Sequence, residues 1–432
     1  MAVVDDASTV AGTNVRPVHP AVTQQQDKRR GAYISRLGRK TATNRGDSGG
    51  SPLFIYLLPI SSMSFSEHIK AYAHQLGFDL VGITPATAPP NGQAYSDWIT
   101  QGFAGEMGYL ERHVEKRRHP DYVLPGVRSL IVVAMNYRCP DAEAIPDDRH
   151  RGKIAQYARG LDYHDVMKEK LLTMLEYIQR EADKPVQGRV YVDTGPILER
   201  DFAERAGLGW YGKHTNLIHK RLGSWLLLGE VLVDLALDYD RPATAHCGTC
   251  TRCIEACPTE AIVAPYVVDA RRCISYHTIE LKGRIPDTYR SMMGNRVFGC
   301  DDCQDVCPWN RRAPVTQEPT FLPRPWTEMP GLIELLQLTP EAFRTTFKGS
   351  PIKRTKRRGL LRNVAVALGN TKDPNAVPAL IEALDDEEPL VRGHVAWALG
   401  QIGDDRAFAA LEQARQTEID PNVLDEIEKA LH

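Results

Sequence analysis

From Met63 onward, apolar positions fall into two alternating patterns. Four short runs, FDLVGIT, SLIVVAMNY, RVYVDTG and SWLLLGEVLVDLAL, have the length and β-branched content of strands. Between them, SEHIKAYAHQLGF, YHDVMKEKLLTMLEYIQREA and PILERDFAERAGL place apolar residues three and four apart, as amphipathic helices do. Ser64 or Ser66 is positioned to cap the first helix. The alternation predicts an α/β or α+β domain over residues 63–240.

Residues 1–62 show no sustained period and are rich in Ala, Thr, Gln, Arg, Gly and Ser, so disorder is expected there. Their longest apolar run, LFIYLLPI from Leu53 to Ile60, is less than half a membrane span and carries a proline. Nothing before it reads as a secretory signal, so a cytoplasmic protein without membrane segments is expected. Met63 is an alternative natural start, which would make 1–62 a non-essential or mis-assigned extension. The N-terminal peptide of the native protein would decide this.

Beyond the first domain, a cysteine-rich, ferredoxin-like domain is expected over 241–320, a Pro-rich connector over 321–350 and a helical tail over 351–432. Within the tail, Ala367, Leu368 and Gly369 recur 31 positions on as Ala398, Leu399 and Gly400. The period and the helix–turn–helix pattern resemble HEAT repeats, whose helix pairs bury their apolar faces by stacking. Two units are too few to stand alone, so they must pack on the rest of the protein.

Hydrophobic content of 42% and charged content of 25% are those of a soluble globular protein. A formal net charge of −2 excludes general attraction to nucleic acid, leaving only a local patch for it. Cysteine usage says more. Eight of nine cysteines fall between Cys247 and Cys307, and only Cys139 stands apart, as a free thiol. In a cytoplasmic chain such clustering argues for metal over disulfides.

The first cysteine run is Cys247-x2-Cys250-x2-Cys253-x3-Cys257-Pro258. The second is Cys300-x2-Cys303-x3-Cys307-Pro308, with Cys273 between them. Three thiolates from one tight loop and a fourth from a distant Cys-Pro make the bacterial two-cluster pattern, in which the fourth cysteine of each run serves the other cluster. One [4Fe–4S] cluster then takes Cys247, Cys250, Cys253 and Cys307. The other takes Cys257, Cys300, Cys303 and Cys273, the last replacing the ligand missing from the second run. Two zinc sites fit eight thiolates with two Cys-Pro endings poorly.

Longer motifs carry a resemblance. GEMGYLERH (105–113), YARGLDYHDVM (157–167), VDTGPILERDFAERAGLGWYGKH (192–214), VDARRCISYHTIEL (268–281) and MGNRVFGCDDCQDVCPWN (293–310) resemble the epoxyqueuosine reductases, over a span from about Met63 to the C-terminus. The resemblance implies a cobalamin-binding domain and a two-electron reduction that removes the epoxide oxygen of epoxyqueuosine in tRNA to give queuosine. Opening an epoxide needs a strong reductant or nucleophile, which reduced cobalt supplies, and a proton from a positioned acid.

The family's proton donor maps onto Asp193, at a predicted strand end. For it to be an acid at neutral pH, burial should raise its pKa, so a desolvated Asp193 is expected. The competing reading is a helix N-cap for Pro196–Ala206. Arg112 matches a family position at the corrinoid, and Tyr157, Lys213, His214 and Ser275 are further cofactor contacts implied by motif position. His214 is not assigned as an axial cobalt ligand. The cluster of Cys257, Cys273, Cys300 and Cys303 should be the nearer to cobalt, because Cys273 and Ser275 share one loop.

GLGWYGKH, Gly207 to His214, imitates a nucleotide-binding loop. It follows a helical stretch, however, and has histidine where the Mg-binding hydroxyl belongs. The run Lys353, Arg354, Lys356, Arg357 and Arg358, extended by Arg362, is a candidate tRNA phosphate footprint. Arg271, Arg272, Lys282 and Arg284 flank Cys273 and could reach the anticodon stem-loop. A separate electron donor and a monomeric state are expected. Two other functions remain to be separated from this one. A cobalamin-dependent reductive dehalogenase would need neither basic run nor HEAT-like tail, and a non-catalytic electron-transfer protein would leave the α/β motifs unexplained.

Overall fold

The computed structural model describes residues 63–140 and 149–432; the expectations for 1–62 lie outside them. Helix α1 (Phe65–Gln75) opens at Ser64, whose hydroxyl accepts from the Glu67 amide while Glu67 reaches back to the Ser64 amide at 2.7 Å. The four apolar runs form β1 (Leu80–Pro85), β2 (Ser129–Asn136), β3 (Gly188–Tyr191) and β4 (Leu226–Val233). They build one sheet in the order β1-β2-β4-β3, antiparallel throughout, so the domain is α+β.

Period two explains why β2 is buried at every position. Ile131, Val133 and Met135 face the core shared with α1 and with α2 (Tyr163–Glu181). Leu130, Val132 and Ala134 face the opposite core, with Phe202 and Ala203 of α3 (Glu199–Arg205). Helices therefore cover both faces of the sheet.

The cysteine segment carries α4 (Ile274–Ile279), which starts directly after Cys273. The tail forms α5 (Lys356–Thr371), α6 (Val377–Glu382), α7 (Pro389–Ile402), α8 (Asp405–Thr417) and α9 (Pro421–Leu431). The repeated glycines have a packing reason. A Cβ on Gly369 would come within 2.9 Å of the Ala398 Cα, and one on Gly400 within 2.9 Å of the Ala430 Cα. Each glycine lets the next inner helix approach closely.

The short repeat array is anchored where α5 meets the cysteine segment. Arg362 is fully buried and donates to the carbonyls of His277, Leu281 and Gly283, while Asn363 donates to those of Thr278 and Val297. Arg362 thus does not extend the surface basic run. A second anchor pairs Arg290 with Glu426 of α9 at 2.6 Å, each side chain 1% exposed. The connector contains helices Leu332–Leu336 and Pro340–Thr346, and the described residues form a single compact unit. Among the described residues, no helix is long and apolar enough to cross a membrane.

Candidate active site

A cavity of ≈ 1080 Å³ opens where the sheet domain, the cysteine segment and the start of the tail meet. Strand β3 ends at Tyr191, and the turn that follows puts Asp193 on the cavity wall with φ at +58°, a conformation an L-residue adopts at a cost. Asp193 does not cap α3, whose flanking residue is Leu198. Instead its N–H donates to Glu199 Oε1 at 2.6 Å, which fixes the turn from the start of that helix.

The Asp193 carboxylate has partners from the N-terminus of α2. Tyr163 donates its hydroxyl to Oδ2 at 2.8 Å, and His164 Nε2 stands 3.5 Å from the same oxygen. Asp162 holds the other nitrogen of His164 at 2.7 Å. Burial disfavours the imidazolium, but Asp162 and Asp193 outweigh it and push the His164 pKa up to about 9. For Asp193, burial raises the pKa, yet the neighbouring His164, the Tyr163 hydrogen bond and the charge of Arg354 prevail and hold it below the usual aspartate value. The carboxylate lies deep in the fold but faces the cavity, so 53% of its side-chain surface stays accessible. The expectation of a desolvated Asp193 with a raised pKa is therefore corrected. Its charge is stabilised by designated donors, and the raised carboxyls lie behind it. Glu199 is pushed up to about 8, by burial first and then by the charge of Asp193.

The other implied contacts separate. Tyr157 and Ser275 line the cavity. His214 lines it too and is 3% exposed. Its Nδ1 accepts from the Asn216 amide at 3.2 Å, and its Nε2 has no partner. Burial, then the charge of Arg200, draws its pKa down to about 4, so it is neutral with a lone donor at the wall. Lys213 does not reach the cavity. It donates to the carbonyls of Gly248 and Cys250 at 2.8 and 3.0 Å, bracing the first cysteine loop. Arg112 is exposed at the end of the short helix Gly108–Glu111 and is not part of the cavity lining.

The basic residues are also divided. Lys353 and Arg354 line the cavity, where Arg354 pairs with Glu280 at 2.8 Å beneath Tyr109. Sequence reasoning missed this role, because a run of like charges reads as a surface. Arg357 is spent on Asp386 and on the Leu338 carbonyl at 2.6 Å. Arg284 is held by Asp425 at 3.0 Å and by Glu426, and Lys282 donates to the Ile279 carbonyl at 3.0 Å. Lys356 is exposed, and Arg358 makes only a loose pair with Glu388 at 3.8 Å.

The cysteines gather in two sets of four. Burial, then the charges of Cys307, Cys247 and Cys250, pushes the Cys253 thiol up to about 11. Burial, then Cys273 and Cys300, followed by Asp301 and Cys257, raises Cys303 well above its ordinary value. Thiolates so crowded would repel one another; the irons of a cluster remove that repulsion. Cys257, Cys273, Cys300 and Cys303 line the cavity, and the other four do not. Cys139 is buried, with its pKa pushed up to about 11 by burial, which makes it an inert thiol. The cavity's volume, its apolar wall from Leu226 to Leu228, and the unpartnered His214 donor fit a large, hydrogen-bonding cofactor such as cobalamin.

Comparison with known proteins agrees with this layout. Residues 246–310 match the 4Fe-4S double cluster binding domain, 117–194 the family model described as Epoxyqueuosine reductase QueG, DUF1730, and 355–432 HEAT repeats. The epoxyqueuosine reductase of Xanthomonas campestris is 45% identical over 339 residues, covering 78% of this chain and 95% of that protein. A crystal structure of epoxyqueuosine reductase with a tRNA-Tyr epoxyqueuosine-modified stem loop superposes with a TM-score of 0.77 at 34% identity, covering 84% of this chain and 97% of that one. A Bacillus subtilis epoxyqueuosine reductase, solved with its aspartate catalytic loop swung out of the active site, gives 0.78 at 33% identity with the same coverage. With the double-cluster segment, the repeat tail and near full-length similarity all in one chain, this protein belongs to the epoxyqueuosine reductase family.

Proposed function

We propose that this chain reduces epoxyqueuosine in tRNA to queuosine, with electrons passing through its two clusters and the proton delivered by Asp193. The observation that carries this reading is a single cavity with Asp193, Tyr163 and His164 on one wall and the thiols of Cys257, Cys273, Cys300 and Cys303 on another. Bound there, cobalamin supplies the strongly reducing centre that no side chain provides. The neutral His214, Tyr157 and Ser275 would hold it by hydrogen bonding and packing. Asp193 passes protons to the epoxide oxygen, and Tyr163 keeps its carboxylate oriented between transfers.

Lys353 on the cavity wall, with the exposed Lys356 and the half-buried Arg358, would meet the tRNA backbone; Arg271 and Arg272 are already paired, with Asp269 at 2.8 Å and Glu260 at 3.1 Å. Electrons would enter at the Cys247 set from a separate carrier, and the protein would work as a monomer in the cytoplasm, where its substrate is. The test is anaerobic turnover of epoxyqueuosine-containing tRNA by protein loaded with clusters and cobalamin. Queuosine should form with wild-type protein, and Asp193→Asn should lose on the order of a hundredfold in kcat with unchanged cofactor spectra. Wild-type protein that leaves the epoxide intact, or full turnover by Asp193→Asn, would overturn the reading.

A further inference from the structure

Converting an epoxide to an alkene consumes two electrons and two protons and releases one water. One proton is bound as the first C–O bond opens, and the second as the resulting hydroxyl leaves. A single carboxyl carries one proton at a time, so Asp193 must be reloaded within each turnover.

Behind Asp193 stand two further carboxyls. Glu230 lies on β4, opposite Val132 of β2 and Tyr191 of β3. It shares the sheet face of Leu228 and Leu232, the face that α3 covers, and α3 begins with Glu199. Glu230 is 0% exposed, and neither of its oxygens has a hydrogen-bond donor among the described residues. Burial, then the charges of Glu199 and Asp193, hold its pKa well above the ordinary glutamate value, and Glu199 Oε1 in turn accepts the Asp193 N–H at 2.6 Å. Glu199 thus meets Asp193 at its main chain and feels the charge of its carboxylate, so the three acids stand in order from the sheet interior toward the cavity.

A buried carboxylate without a donor is costly, and two side by side are costlier, so this pair keeps a proton between them. The groups facing it do not remove that need. Asp193 adds negative charge, Tyr163 directs its hydroxyl to Asp193, and the cations Arg200 and His164 act on Glu199 from the cavity side. A valine or leucine at position 230 would pack between β2 and β3 without this penalty.

We propose that Glu199 and Glu230 share a stored proton that passes to Asp193 during each turnover, supplying the second of the two protons the reduction consumes. This rests on the reaction proposed above. Neither residue touches the reacting atoms; both act through Asp193.

The test uses the complete holoenzyme and the isosteric variant Glu230→Gln, with turnover followed from pH 6 to pH 9. The variant should lose roughly tenfold in kcat at pH 8 and less than about twofold at pH 6, where bulk protons reach Asp193 through the cavity, with KM for tRNA unchanged. A loss by the same factor at every pH, or none, overturns the proposal. Infrared spectroscopy of the wild-type holoenzyme gives an arm independent of turnover. A protonated-carboxyl band that shifts in D2O and is missing in Glu230→Gln supports the stored proton; its absence from wild type sinks it. Wild-type protein with that band but no queuosine product would fail the reaction instead.

Discussion

The Tyr163 hydroxyl donates to Asp193 Oδ2 at 2.8 Å, and the Tyr163 ring stacks on His164 at 4.1 Å between centroids. One helix end therefore delivers both the donor that steadies the carboxylate and the imidazolium beside it. The hydrogen bond favours the ionised form of Asp193, so it trades acid strength at rest for a fixed orientation.

The consequence is a pH shift of known sign. Replacing Tyr163 with Phe removes a stabiliser of the carboxylate, and the Asp193 pKa rises. Activity that needs protonated Asp193 falls as pH rises through that pKa, so the alkaline limb of kcat/KM should move up by about one pH unit. A limb that stays in place or moves to lower pH would contradict the role assigned to Tyr163.

Glu199 makes a prediction for stability. Its pKa is raised in the folded protein from 4.5 to about 8, by burial and then by Asp193. The folded state thus holds a proton that the unfolded chain releases. The contribution is fully present below pH 4.5 and is lost as pH rises toward 8. Between those limits Tm should fall with pH, and Glu199→Gln should flatten the slope by about one proton. An unchanged slope would mean that Glu199 is ionised in the folded state.

The strands, the helices and the double-cluster segment were legible because each leaves a local trace, in a period or a spacing. Asp193 was visible only through a motif, and its electrostatic surroundings were hidden. Tyr163 lies thirty residues earlier in the chain, with His164 next to it, and the tertiary fold alone brings them to Asp193. Glu230 sat inside an apolar strand run without drawing notice, although a lone carboxylate in LLLGEVLV was the available signal. Lys213 and Arg112 show what a motif leaves open, since it does not say whether a side chain lines the cavity or braces a neighbouring loop.

The basic run divides into separable phenotypes. Lys356→Ala should weaken tRNA binding and lower the salt slope by about one unit, leaving single-turnover chemistry intact. Arg354→Ala, which unpairs Glu280 and removes a cation from the side of Asp193, should reduce the chemical step more than the affinity. Arg362→Ala should lower Tm, because the carbonyls of His277, Leu281 and Gly283 lose a buried donor. Equal losses of tRNA affinity in all three would restore the single-footprint reading. Filter binding across a salt series, alongside single-turnover rates and melting curves, separates these outcomes.

The two cysteine sets differ in where they lie, and their removal should differ in kind. Cys300→Ala breaks the set on the cavity wall and Cys250→Ala the set away from it. With each set as the ligands of one cluster, each variant should keep about half the iron of the wild-type protein. Both should stop turnover with a chemical reductant, since electrons must cross both clusters to reach the cavity. They should part company when reductant is supplied as a small, membrane-permeant mediator able to enter the cavity. Cys250→Ala then recovers activity through its intact inner cluster, while Cys300→Ala does not. Recovery of Cys300→Ala alone would reverse the order of the relay and place the Cys247, Cys250, Cys253 and Cys307 cluster next to the cofactor, against the cavity lining seen in the structure.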